Sequence, residues 1–592
     1  MDKNTIWAIL LSTLVIIGFT FYQMKMVPAR QPKAQQPVAA DSGITVVSTE
    51  ESSVSDSSVT EGAVIVPAEQ IEEAEYTVET DKLIVKFTNK GGDIISYELK
   101  DHHDGANLVQ LADNISDQNR AFSVSFGGEN NSLINETFNV KIISDYSIGF
   151  FRPFSVKNSD GTTSTFTLVK QYTFLPDEYV FKLDVMIEGD GNMNGLDIGN
   201  AAYTLRTSPQ IGPHFNRKKD RYENRIFMSY AGEKKKKQML GDGQSKSFDS
   251  TFTWTGVTGK YFAVLAAPAV EGTMSRAVYS TAVEKDNYAN AQVKLVRDAF
   301  TGKSVQDTYY IYAGPRTDAE LSKYNNVNDN GWKVANLKFD YSMQSSGILG
   351  WLEVALKWLL KLLYKIIPNW GVAIILMTFL LKAAMFPLSM KNSLSTLKMQ
   401  EIQPRIQEIQ AKYKSSPEKM NAEMAKLYQE VGYNPMAGCL PLLLQWPVII
   451  AMFNLFNNYF EFRGAMFIPG WIPDLSLGDS VYTLGFNLPV IGNEIRILPL
   501  IYLITQLLNG KIMQKINPAQ GQNAASMKFM YYVFPFLIFF MFYNVPAGLL
   551  LYYNLSTIIM IVQQVIISKH VNKKKAEKAS AEAPKLVFKK RK

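Results

Sequence analysis

The chain has 592 residues, 47% of them apolar, with 61 Lys and Arg against 54 Asp and Glu and one cysteine. That length holds several domains, and a lone Cys439 excludes an intrachain disulfide framework and any CxxC metal or redox pair. The charge is uneven: residues 569–592 carry +8 and everything before them −1, so the basic surface that seeks an anionic partner, RNA or lipid headgroups, is terminal.

Residues 6–22 form a long apolar stretch between Lys3 and Lys25. Its length predicts an uncleaved transmembrane anchor over 1–25, although Val27-Pro28-Ala29 has the small residues of a cleavage site. Residues 26–75, rich in Pro, Ala, Ser, Val and Glu, read as a flexible linker. From 76 to 340 the texture becomes alternating: KLIVKFT at 82–88, AFSVSF at 121–126, STFTLVKQYTF at 164–174, YVFKLDVMI at 179–187 and TYYIY at 308–312. Short alternating runs punctuated by Gly, Asn and Asp predict an antiparallel β-sandwich. Lys234 to Lys237, bracketed by glycines, read as an exposed hairpin tip.

Residues 348–369 are predicted to form an amphipathic helix lying in the membrane interface. Glu353, Lys357, Lys361 and Lys365 recur every four residues on one stripe, with Trp, Leu, Val and Ile turned to lipid. Five spans then follow within 370–570, near 370–386, 438–456, 496–508, 530–543 and 547–567. Several are short for a hydrocarbon core of about 30 Å. Lys and Arg crowd residues 391–426, 511–528 and the tail 571–592, whereas 459–495 holds Glu461, Asp474, Asp479 and Glu494 against Arg463. That asymmetry places both termini and the basic loops in the cytoplasm and the β domain outside. The loop 388–433 reads as a helical hairpin: Leu394, Leu397, Ile402, Ile406 and Ile409 on one arm, Met420, Met424, Leu427 and Val431 on the other. Lys391, Lys398, Arg405, Lys412, Lys419 and Lys426 fall seven apart and give it a basic stripe.

Within the first of those five spans, NWGVAIILMTFLLKAAMFP, sits Lys382. A charge at membrane depth costs about 2.5–3.5 kcal/mol on insertion scales, so it faces protein or water and has a task. Thr378 lies one turn earlier on the same helical face. Snorkelling of Lys382 to the cytoplasmic headgroups is the competing use. No HExxH, GxSxG, P-loop or dinucleotide fingerprint occurs in a fitting context, and His102, His103, His214 and His570 lack metal-ligand spacing. No enzyme, metal or cofactor is expected.

The string NPMAGCLPLLLQWP, with Asn434, Pro435, Gly438, Cys439, Pro441, Gln445 and Pro447, resembles the signature of the YidC membrane protein insertase family. Trp254 to Phe262 (WTGVTGKYF), Tyr312-Ala313-Gly314-Pro315, Val545-Pro546-Ala547-Gly548 and Tyr552-Tyr553 match in the same order. A first span plus a large external domain looks like the diderm bacterial form of that family. The resemblance implies an inner-membrane insertase and chaperone for nascent membrane proteins, acting alone or with the Sec translocon in the lipid bilayer. It also implies a hydrophilic intramembrane groove closed to the outside and lined by Thr378, Lys382, Gln445, Trp446 and Tyr553. In this reading Lys382 lures acidic segments, Thr378 and Gln445 keep the groove wet, and Trp446 and Tyr553 offer a surface for a sliding helix. The family commonly carries Arg where this chain has Lys382, which keeps the charge and loses the bidentate fork. Cys439 reads as a packing residue, and Pro441 and Pro447 as kinks of their span. The tail cluster Lys573, Lys574, Lys575, Lys589, Lys590, Arg591 and Lys592 is the expected ribosome contact. A secondary transporter and an envelope scaffold are the alternatives; an inverted repeat of broken spans, typical of the former, is not evident.

Overall fold

The computed structural model describes residues 47–48, 64–66, 71–157, 163–189, 201–215, 223–283, 289–300, 302–343, 349–432, 440–488, 491–516 and 528–582. The N-terminal anchor expected over 1–25 lies outside them. A β unit extends to Gln344 and a helical unit follows from Ser345.

Strict alternation builds the β unit. In strand Thr163–Thr173, Phe166, Leu168, Lys170 and Tyr172 turn inward while their neighbours are more exposed. This strand pairs antiparallel with Ser147–Lys157 and Val180–Gly189 inside an eleven-stranded sheet. Two smaller sheets, of four and five strands, cover the same face. Phe87 of the four-stranded sheet lies 4.9 Å from Tyr172, and Phe126 of the five-stranded sheet 5.5 Å from Phe166. The sandwich is therefore one wide layer against two narrow ones. Tyr312, Tyr324 and Phe339 cluster at 5.7–5.9 Å between ring centres, so the segment after the last strand covers the other side of the wide sheet. Two sequence signatures meet here: Phe262 pairs with Pro315, and Arg316 Nη1 donates to the Gly259 carbonyl at 2.8 Å.

At the seam of the layers lies a buried charge cluster. Arg120 Nε donates to Asp93 Oδ2 at 2.9 Å, and Lys170 Nζ donates to the other Asp93 oxygen and, at 3.0 Å, to the Gly91 carbonyl. Burial pushes the Lys170 amine below its ordinary value, and Asp93 pulls it back.

Two sequence expectations change. The linker 26–75 is not free along its whole length: Val64–Val66 adds to the edge of the wide sheet beside Val156, and Val64 is buried. The Lys234 to Lys237 run is not a hairpin tip. Gly232 and Glu233, both at positive φ, make the turn, and the lysines form the edge strand Lys234–Gln238. A lysine-rich edge repels the pairing of another strand.

The helical unit opens with α1 (Gly350–Ile366) and α2 (Trp370–Lys412). Asn369 caps α2 by accepting from the Val372 amide at 3.0 Å, and Tyr364 stacks on Trp370 at 4.1 Å across the junction. The stripe expected on α1 does not hold throughout. Glu353 is buried and accepts from Asn454 Nδ2 at 2.9 Å, Leu356, Leu360 and Leu363 pack inward, and Trp351, Val354, Trp358 and Ile366 are exposed.

Helix α2 continues through Pro387 and Pro404 for 43 residues, about 65 Å. Its end packs against α3 (Pro417–Val431), with Ile402, Ile406 and Leu427 buried among Ile409, Met424 and Val431. Gly432 closes α3 at φ 61°, a left-handed C-cap. After α4 (Leu440–Asn458) and α5 (Ile497–Ile516), a π turn at Phe529–Val533 leads into α6 (Phe534–Phe542), and α7 spans Ala547–Glu582. Among the described residues two segments are long and apolar enough to cross a membrane, Trp370–Met390 and Ala547–Lys569; Phe529–Phe542 is a shorter apolar helix.

Candidate functional site

Helix α2 is two-faced. Ala373, Ile374, Met377 and Thr378 are fully buried, while Phe379, Leu380 and Phe386 are exposed. Thr378 donates from Oγ1 to the Ile374 carbonyl at 2.7 Å, so its hydroxyl is satisfied within its own helix. Lys382, one turn on, sits half-buried at the margin of that inward face. Among the described residues no carboxylate offsets its burial.

Helix α7 packs along both α2 and α5, and α4 touches α2 and α7. Tyr553 on α7 lies 5.4 Å from Phe542 and 6.3 Å from Tyr502, ring centre to ring centre. Its hydroxyl is buried and has no hydrogen-bond partner among the described residues. Around it run polar contacts across the α5–α7 seam and within α7. Gln506 Nε2 donates to Thr557 Oγ1 at 3.2 Å, Thr557 donates to the Tyr553 carbonyl at 2.9 Å, and Asn554 Nδ2 donates to the Leu498 carbonyl at 3.1 Å. The Asn554 amide oxygen is buried with no partner among the described residues. Sequence reasoning passed over Tyr502, Gln506, Asn554 and Thr557. The signal was the one that singled out Lys382, polar groups inside apolar helices.

Gln445 and Trp446 lie on α4 by backbone, and their side chains are outside the described residues, as are Asn434, Pro435, Gly438 and Cys439. Pro441 and Pro447 both lie on α4 by backbone, Pro447 inside the helix and Pro441 beside residues outside the described ones. The basic cluster divides. Lys573, Lys574 and Lys575 continue α7, with Lys573 exposed, and Lys589, Lys590, Arg591 and Lys592 lie outside the described residues.

One end of this helix group is sealed by the loop that follows α4. Phe462, Ile472 and Leu475 are fully buried in it. The Asp479 carboxylate accepts from Trp471 Nε1 at 3.1 Å and from the Ile497 and Leu498 amides at 2.9 and 2.7 Å, capping α5 from outside the helix. Burial pushes its carboxyl above the usual range, and these donors pull it back. At the start of α7, the Ala547 and Gly548 amides donate to the Leu477 and Leu475 carbonyls at 2.6 and 3.0 Å. A Cβ on Gly548 would stand 3.0 Å from the Phe456 ring, which accounts for glycine in the Val545-Pro546-Ala547-Gly548 signature.

The arrangement is a polar, partly unsatisfied α5–α7 interface, closed at one end by a packed loop, with the neighbouring helix α2 carrying an ammonium that no carboxylate among the described residues answers. Among the described residues no cluster of His, Cys, Asp and Glu could hold a metal.

The family model described as 60Kd inner membrane protein matches residues 362–575, and that of the YidC periplasmic domain matches 75–359. The chain is 44% identical over 586 residues to the membrane protein insertase YidC of Treponema denticola, covering 97% of this chain and 100% of that one. It is 40% identical over 626 residues to the protein of the same name in Treponema pallidum, with coverage of 97% and 100%. With that of Chlorobaculum tepidum it shares 29% over 541 residues, covering 86% and 84%. The chain belongs to the YidC family of 60Kd inner membrane proteins.

Proposed function

We propose that this protein is a membrane protein insertase, the activity for which its relatives are named, and that it works without covalent chemistry. The observation that carries the reading is Lys382: a half-buried cation with no carboxylate partner among the described residues, on an apolar helix that packs along α7, the helix that carries the unpartnered hydroxyl of Tyr553. The physical task is to bring a short hydrophilic segment of a nascent membrane protein into the bilayer, where each unsatisfied backbone group costs several kcal/mol. Polar groups with spare hydrogen-bonding capacity lower that cost. Lys382 draws in acidic segments and Gln445 helps to hold water at the site, whereas Thr378, fully buried with its hydroxyl bonded within α2, packs the helix there. Trp446 and, once α5 and α7 part, the buried rings of Tyr502 and Tyr553 offer the surface over which the substrate's apolar helix slides into lipid, gaining about 25 cal/mol per Å² of apolar area removed from water.

The finer reading has six spans, both termini cytoplasmic and the β unit periplasmic, with the α2–α3 hairpin and the basic tail on the cytoplasmic side. The sealed end is then the outer one. The tail's +8 charge suits the ribosome, and work beside the Sec translocon is compatible with the same site. In reconstituted vesicles, Lys382→Ala lowers insertion of substrates whose translocated segment is acidic, and Lys382→Arg preserves it. Equal insertion of such substrates by Lys382→Ala and the parent protein refutes the lure.

A further inference from the structure

Between the sealed end and α5 stands a two-stranded hairpin, Tyr482–Leu488 paired with Gly492–Ile495. Residues 480–493 contain no Asp, Glu, Lys or Arg. The flanking charges are neutralised or withdrawn: Asp479 is buried under its three donors, and Glu494 pairs with Arg496 at 2.5 Å. The hairpin nevertheless turns large apolar side chains outward, Tyr482 at 64% and Phe486 at 62% exposure. Tyr482 stands across from Ile495 in the register, so the outward apolar row includes both strands. One residue further, α5 begins, and Ile497, Leu500 and Ile504 continue the exposed row at helical spacing. An exposed apolar surface without charge, continuous with the lipid-facing side of a span and bearing aromatic rings, has the composition of a membrane-interface anchor.

We propose that this hairpin dips into the outer leaflet, with Tyr482 and Phe486 seated at the boundary between headgroups and acyl chains. The inference rests on the reading of α5 as a span with its N-terminus outside. Seated there, the hairpin ties the outer seal to the bilayer, so that α5 is anchored at its outer end through lipid as well as through the Asp479 cap.

The test uses the full chain with Cys439→Ser and one new cysteine, Phe486→Cys, carrying an environment-sensitive fluorophore, in phosphatidylcholine–phosphatidylglycerol vesicles. Emission from position 486 is expected to be blue-shifted, quenched by a lipid bearing a nitroxide just below the headgroup, and protected from aqueous iodide. The variant Thr483→Cys, on the opposite face of the strand, is expected to report water. The variant Leu500→Cys monitors α5 itself. Lipid quenching at 500 with iodide quenching at 486 overturns the hairpin proposal alone; absence of lipid quenching at 500 removes the span on which it rests. Protection at 486 that depends on protein concentration rather than on the lipid quencher identifies a second copy as the occupant and likewise overturns it. All three labels are on exposed positions, so folding is not at stake.

Discussion

Lys170 in the β unit and Lys382 in the helical unit are both withdrawn from water, and their surroundings differ. Lys170 is fully buried, yet it donates to Asp93 and to the Gly91 carbonyl, and Arg120 completes the cluster from the other side. Lys382 is only half-buried, and among the described residues no carboxylate answers it. A buried charge held by an anion and a carbonyl makes structure, because removing one partner leaves the others stranded. A withdrawn charge left without an anion is available to something that arrives. The same contrast extends to hydroxyls: Tyr172 donates to the Gly92 carbonyl at 3.0 Å, whereas the Tyr553 hydroxyl is unpartnered among the described residues.

The contrast breaks most sharply at Asp93. Asp93→Ala strands two cations in the sandwich and is expected to cost the β unit about 3–5 kcal/mol, read by chemical unfolding of the full chain through Trp254 fluorescence. A cost below about 1 kcal/mol would mean that water already reaches the cluster, as it reaches an exposed pair. Lys382→Ala should do the reverse, leaving unfolding unchanged while insertion of acidic segments drops about tenfold, the equivalent of about 1.4 kcal/mol. A destabilised protein with normal insertion would move Lys382 into the structural class with Lys170.

Much of this contrast was legible in the sequence. Period-two alternation at 164–174 fixes which residues of that strand face the core, and Lys170 falls on the inward set with Phe166, Leu168 and Tyr172. What alternation does not reveal is that Asp93 and Arg120, remote in the chain, converge on it, because strand order is decided by long-range pairing. Lys382 stood out because an apolar helix offers no local reason for a charge. Glu353 was misjudged for the opposite reason: a four-residue stripe on α1 reads as one wet face, and the partner that buries Glu353, Asn454, comes from α4. The π turn before α6 and the passage of α2 through Pro387 and Pro404 also override local propensity; at Pro404 the packing of Ile402 and Ile406 on α3 offsets the lost backbone bond.

Smaller effects sharpen the comparison within the helical unit. Asp479→Ala removes the cap of α5 and is expected to cost about 0.5–2 kcal/mol, with hydrogen exchange accelerated at the Ile497 and Leu498 amides. Unchanged protection there would show that the seal is held by apolar packing alone. The smallest effect is expected in the hairpin, where Arg405 donates to both Glu430 oxygens at 3.0 and 2.9 Å on an exposed surface. The guanidinium holds the Glu430 carboxyl below its usual range. This pair therefore contributes fully above the ordinary carboxylate range, and its contribution is lost as pH falls through the lowered folded value. Arg405→Ala should flatten the acid-side rise in protease sensitivity of the hairpin, and salt should mimic the substitution. An acid profile identical in the variant would assign that sensitivity to other carboxylates.

The unanswered cation can be tested where it stands. A photoreactive amino acid placed in turn at positions 382, 502, 553 and, as the lipid-facing control, 379 of the full chain can be irradiated in the presence of a ribosome-stalled membrane protein. Adducts to the nascent chain at 382, 502 and 553, with none at 379, are expected if Lys382 and Tyr553 face the insertion path. Adducts at 379 alone, or equal labelling at all four positions, would contradict it.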